Sequence, residues 1–178
     1  MKKTFLISIL SLFPIIAFSQ AKWQATLGTV MFKIKNTGAT VTGRFSGLKA
    51  NLIFSPDKLA ASALKGSVDV STLKTGIDKR DKDLMGEKYF DAGKHQQIEV
   101  ASVKLTKKGS GYSGQFNVTI KGVTKPVEIP FSFTQTGNQA EFKGDFSVNR
   151  RDFGLGEKSV MMSDDVNVSI DVKAKSGK

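Results

Sequence analysis

Tyr112-Ser113-Gly114-Gln115-Phe116-Asn117-Val118-Thr119-Ile120-Lys121 is the stretch on which the fold turns. Its even positions are apolar or small and its odd positions polar, a strict two-residue period. Successive side chains of a strand point to opposite faces, so this segment has one buried side and one wet side. The pattern recurs downstream. Val127, Ile129, Phe131 and Phe133 share a face, as do Ala140, Phe142, Gly144, Phe146 and Val148, and then Val166, Val168, Ile170, Val172 and Ala174. Such alternation is the mark of antiparallel sheet with one face on a core.

Upstream the same period is less clean. Val30, Phe32 and Ile34 align, Val41, Gly43 and Phe45 align, and Leu52 with Phe54 and Val68 with Val70 mark shorter runs. With Ile98–Leu105 this makes about nine candidate strands. Apolar parity flips around Ala101 and Ser102, which predicts a bulge there. Turn signals separate the runs at Asn36-Thr37-Gly38, Ser55-Pro56-Asp57, Lys108-Gly109-Ser110-Gly111 and Thr136-Gly137-Asn138. Only Thr75–Phe90 lacks the period. Asp78 as a cap and Gly86 as a stop predict a short helix near 78–86. The lysine-rich tail beyond Val172 is expected to fray. Many one-faced antiparallel strands leave two solutions, a two-sheet sandwich or a closed barrel of about eight strands.

Residues 1–19 read as a signal peptide. Lys2 and Lys3 precede an apolar run, Phe5–Phe18, and Ala17 and Ser19 supply small residues at a cleavage site. The run is broken by Ser8, Ser11 and Pro14 and is short for a membrane span. Cleavage after Ser19 leaves 20–178 as a single domain, exported to the periplasm or secreted. The chain has no cysteine, so disulfides, thiolate nucleophiles and a lipidated thiol are excluded. The formal charge of +11 falls to +9 with the loss of Lys2 and Lys3. For an exported protein that favours contact with anionic lipid over nucleic acid, although scattered lysines are also an ordinary solvated surface.

Catalytic chemistry finds little to work with. His95 is the single histidine and has no nucleophile at triad spacing. Asp164-Asp165 does not have the spacing of a metal loop, and Gly154-Leu155-Gly156 opens no helix, so neither a metal nor a phosphate loop is expected. Two charged clusters remain, Arg80-Asp81 and Asn149-Arg150-Arg151-Asp152. Each is either an ion pair tying its segment to the barrel rim or a place where an arginine meets a ligand headgroup.

Thr75-Gly76, Lys79-Arg80-Asp81, Leu84 and Tyr89-Phe90-Asp91, followed by Ile120-Lys121-Gly122-Val123-Thr124-Lys125-Pro126-Val127, resemble the YceI-like family of lipid- and polyisoprenoid-binding proteins. Val41-Thr42-Gly43-Arg44-Phe45, Asn149-Arg150 with Asp152-Phe153-Gly154, and Asp165-Val166 with Ile170 extend the resemblance over the domain in the family's order. It departs at Gly28-Thr29, Asp83 and His95-Gln96, where the family often has His-Ser, a histidine and Tyr-Pro. The resemblance implies an all-β, lipocalin-like antiparallel barrel whose apolar tunnel holds a long-chain lipid or isoprenoid. On that reading the tunnel wall comprises Phe32, Phe45, Val68, Phe116, Val118, Phe131, Phe133, Phe142, Phe146 and Ile170. Arg80, Asp81, His95 and Arg150 are the polar candidates at its mouth. Alternation places the wall residues inward but does not separate cavity wall from packed core. The expected protein is thus a non-enzymatic lipid binder without a cofactor that touches membrane transiently, and a rim or strand edge would allow it to pair as a homodimer. The alternative is a filled barrel that acts through its outer surface.

Overall fold

The computed structural model describes residues 21–177, so the signal-peptide reading of residues 1–19 lies outside the described residues. Nine strands form one antiparallel sheet: β1 (Lys22–Asn36), β2 (Ala39–Phe45), β3 (Lys49–Ile53), β4 (Ala63–Asp69), β5 (Gln97–Lys108), β6 (Gly111–Ile120), β7 (Val123–Thr136), β8 (Gln139–Asn149) and β9 (Asp165–Ser176). The sheet closes because β1 pairs with β9 along Trp23–Lys33 on one edge and with β3 and β2 in turn on the other. Lys22–Gln24 meets β3, and Val30–Asn36 meets β2. β2 and β3 are therefore successive halves of one stave. Eight staves make the barrel, which settles the choice between barrel and sandwich.

The period of two becomes an inward face. Along β6, Tyr112, Gly114, Phe116, Val118 and Ile120 are all buried, while Gln115 and Asn117 are exposed. The parity flip in β5 is a register shift between Ser102 and Lys104, which turns Val103 out to solvent. The hairpin turns need left-handed backbone, and Thr37-Gly38 and Lys121-Gly122 adopt positive φ in consecutive pairs, the geometry of the tight turns that join twisted strands.

Two expectations are corrected. β9 does not fray after Val172: it runs to Ser176, paired with both β1 and β8, because each neighbour is long enough to hold its amides and carbonyls. The helix α1 (Asp78–Met85) starts at Asp78, but Asp78 is not its cap: Ile77 occupies that position and supplies no side-chain hydrogen bond.

The core divides along the barrel axis. At the end where β1 begins and β9 finishes, Phe54 is 0% exposed and its ring centre lies 5.1 Å from Tyr112, 5.7 Å from Phe131, 4.8 Å from Phe133 and 5.6 Å from Phe142. Trp23 closes over this cluster with its ring against Phe133 and its indole N–H donating to the Phe54 carbonyl at 3.0 Å. That end is a solid aromatic plug. At the opposite end lie the Thr37-Gly38 and Lys121-Gly122 turns, the insert of residues 70–96 with α1, and residues 150–164 between β8 and β9. On β8 and β9 the inward residues are less buried there: on β8, Phe142 is buried but Phe146 and Val148 only partly, and on β9 Val172 is buried but Val166, Val168 and Ile170 only partly. The side chains face inward throughout, so the change in burial reports a hollow.

Candidate functional site

The hollow is a cavity of about 180 Å³ whose wall is almost entirely apolar. Staves from around the barrel contribute to it through Phe32, Phe45, Val68, Val118, Phe146 and Ile170. A second space of about 90 Å³ continues toward the plug, lined by Phe116, Phe131 and Phe142. Leu48, Gly66, Val100 and Ile170 border both, so the two spaces adjoin. Phe133 lines neither. It packs against Phe54, Trp23 and Phe142 as part of the plug. Residues outside the clean strand pattern also reach the cavity: Leu84, Tyr89 and Phe90 from the insert and Leu155 and Met162 from the loop after β8. Only an apolar residue in a stretch without a two-residue period marks them in the sequence.

Glycine opens room for this wall at two places. Phe32 lies over the inward face of Gly43 so closely that a Cβ there would stand 2.1 Å from the ring. At Gly66, in contrast, a Cβ would meet Val100 and Leu48 at 3.4 Å and 3.5 Å, ordinary contact, and its direction is into the junction of the two spaces.

The four polar candidates part company. Arg80 borders the cavity from α1, with Nε donating to the Thr75 hydroxyl at 2.8 Å and Nη2 to the Thr75 carbonyl at 2.9 Å. Asp81, one residue on, does not border the cavity. It is buried against the insert's own backbone, where its Oδ1 accepts from the Thr75 amide at 2.8 Å and from the Thr75 hydroxyl. His95 is also away from the cavity, with its ring on the backbone of the Lys121-Gly122 turn. Arg150 borders the cavity with four of its five N–H donors already committed. It is buried, and it donates from Nε to the Ser163 carbonyl (3.0 Å), from Nη1 to the Leu155 carbonyl (2.7 Å), and from Nη2 to the Glu157 carbonyl (2.9 Å) and Asp164 Oδ1 (2.7 Å). The Arg150 cluster is thus a tie that folds the rim loop over the barrel end, and Arg80 is the basic group that faces the hollow.

That tie depends on a planar fork. Lysine offers a single ammonium that cannot span four acceptors set around a guanidinium. Arg150→Lys should cost about 2 kcal/mol, lower the melting temperature by roughly 5 °C and speed amide exchange at Leu155, whose N–H is held by the Arg150 carbonyl at 3.0 Å. Unchanged exchange in residues 155–164 would contradict the role assigned to this side chain.

The Asp81 carboxyl is held below its ordinary value of 3.8. The hydrogen bond from the Thr75 side chain is the largest cause, burial opposes it, and the Thr75 amide, Lys74 and Arg80 add to the lowering. A carboxyl depressed in the folded state contributes stability above its ordinary value, and that contribution disappears as pH falls through the folded value. Asp69 and Glu128 are lowered too, by bonds from Ser71 and Ser113, so part of any acid loss is theirs. Between about pH 5 and about pH 3 the melting temperature should fall, and it should fall less in Asp81→Asn. Equal falls in the two proteins would show that Asp81 contributes nothing to the acid response.

Among the described residues no group of three or more His, Asp or Glu side chains is gathered in a way that could hold a metal ion. A model of the YceI-like domain matches residues 22–174. The chain is 27% identical over 151 residues to a UPF0312 protein of Yersinia pestis, covering 81% of this chain and 79% of that protein. BcnA of Burkholderia cenocepacia superimposes with a TM-score of 0.79 at 24% identity, over 83% of this chain and 96% of that one. A polyisoprenoid-binding domain from Saccharophagus degradans, implicated in plant cell wall breakdown, superimposes with a TM-score of 0.67 at 14% identity, over 89% and 100% of the two chains. These two likenesses speak for the fold. With the domain matched over nearly the whole barrel, the chain belongs to the YceI-like family.

Proposed function

We propose that this protein is a non-enzymatic, exported carrier that takes the tail of a polyisoprenoid, quinone-like or fatty-acyl lipid into the apolar end of its barrel and holds it in the cell envelope. One observation carries the reading: an apolar hollow of about 180 Å³ in one half of the barrel, adjoined by a further 90 Å³ on the side of the aromatic plug. A dry apolar cavity of about 150 Å³ is enough to bind benzene, so the larger space takes more than a single ring and the pair takes a length of chain. The wall supplies few polar groups, which suits a tail. Arg80 at the border suits a polar or anionic end left near the mouth.

Each buried methylene contributes about 0.8 kcal/mol, close to fourfold in affinity. Such a tail cannot leave a bilayer for water at useful rates, and a protein that encloses it lowers that barrier. Displacement of a fluorescent polyene fatty acid by isoprenols of increasing length tests the reading. Affinity should rise with length until the two spaces are full and then level off. Absence of any binding at every length would favour the filled-barrel alternative, in which the outer surface acts.

A further inference from the structure

We propose that the rim loop Gly156–Ser163 is a membrane-docking surface fitted to an anionic lipid bilayer, which seats the cavity mouth on the membrane that supplies its cargo. The inference rests on the carrier reading and adds the surface through which loading occurs. Val160 is 103% exposed and the adjacent Met161 is 59% exposed. Leu27, Ile77 and Val103 are comparably exposed elsewhere; Leu27 and Val103 each sit beside a bulge that explains the outward turn, and Ile77 stands at the start of α1. No bulge accounts for Val160 and Met161. They project from a loop whose backbone is fixed: the Met161 carbonyl accepts from the Thr37 amide at 2.6 Å, and the Ser163 amide donates to the Lys35 carbonyl at 2.9 Å. The next residue, Met162, already lines the cavity, so the exposed pair stands at the mouth itself.

Charge around the pair favours an anionic surface. Phe32 and Ile34 face the cavity, so Lys33 and Lys35 on the same strand point outward beside the loop, and Lys158 lies within it. Among the described residues these three lysines have no acidic partner within ion-pair distance. Of the acids in and beside the loop, Glu157 pairs with Lys88 at 3.6 Å and Asp164 with Arg150 at 2.7 Å, which leaves the exposed Asp165 at the start of β9. Two apolar side chains with lysines on the same loop and on the adjoining strand, beside an apolar cavity, match the interface of a bilayer with negative headgroups: the side chains enter the acyl boundary and the lysines meet the phosphates. A solvated protein surface would gain nothing from that arrangement.

Sedimentation of the protein with phosphatidylglycerol–phosphatidylethanolamine vesicles, alongside the fatty-acid displacement assay in solution, tests the proposal. Wild type should bind these vesicles, lose binding as salt rises and bind phosphatidylcholine vesicles poorly. Val160→Ser/Met161→Ser should weaken vesicle binding by about tenfold or more, and Lys33→Gln/Lys35→Gln by a comparable factor, with displacement in solution unchanged. Vesicle affinity equal in wild type and Val160→Ser/Met161→Ser would overturn the docking surface, as would a concentration-dependent dimer abolished by that variant, which would make the loop a contact between copies. Vesicle binding that depends on the loop in a protein that displaces no ligand would uphold the docking surface while removing the carrier reading.

Discussion

Gly66→Leu is expected to shorten the longest chain the protein accepts while leaving the barrel folded. Gly66 lies on the inward face of β4 between Leu64 and Val68, bordering both spaces where they join. A Cβ there finds ordinary contact distances, so the backbone can carry a side chain without rearrangement. The rest of a leucine then occupies the junction and closes the inner 90 Å³ to ligand. A tail that loses about four buried methylenes loses about 3 kcal/mol, on the order of a hundredfold in affinity. Ligands short enough to stay in the outer space should be nearly unaffected. The loss should therefore grow with chain length in the displacement assay, and a uniform loss across all lengths would mean that the two spaces do not act as one tunnel.

Phe54→Ala should be the most destabilising single change considered. The ring is fully enclosed and touches four other aromatic rings, with Trp23 bonded to its carbonyl. Deleting a buried phenylalanine costs about 3–5 kcal/mol, which lowers the melting temperature of a domain of this size by about 10 °C or more. Because β3 ends at Ile53 and Phe54 stands outside the strands, the loss falls on the plug and not on the ladder hydrogen bonds. Thermal unfolding followed by circular dichroism measures it directly. A shift below about 3 °C would show that the barrel end does not depend on this plug.

Much of the fold was legible because a strand's side chains alternate and one sheet face is dry. β6 to β9 could be read from their apolar positions alone, and the bulge in β5 from a parity flip that the structure places at Val103. The insert was legible as an interruption in that period. Its bounds were legible but its cap was not: Ile77 holds that position without a side-chain bond, and Asp81 instead bonds back to Thr75, a contact six residues apart that spacing does not announce. The paired tail was not legible because strand stability near Ser176 is set by two partners distant in sequence, β1 and β8.

The site was legible in kind more than in detail. Alternation says which face a residue takes and not how deep along the axis it sits, so Phe133 and Phe146 carry the same sequence signal although one fills the plug and the other lines the hollow. What separates them is Phe54, a residue outside the regular strands that occupies one end alone. Arginine roles were equally hidden. Arg80 and Arg150 look alike in sequence, but three of the four groups bound by Arg150 are backbone carbonyls, which leave no trace in side-chain identity.

Native mass spectrometry of the protein purified gently from the cells that make it, with organic extraction and identification of what is released, tests the central claim most directly. The account predicts a stoichiometric long-chain species, an isoprenoid, quinone or acyl lipid, that departs on denaturation. A clean apo mass that stays unchanged after incubation with such lipids would contradict it.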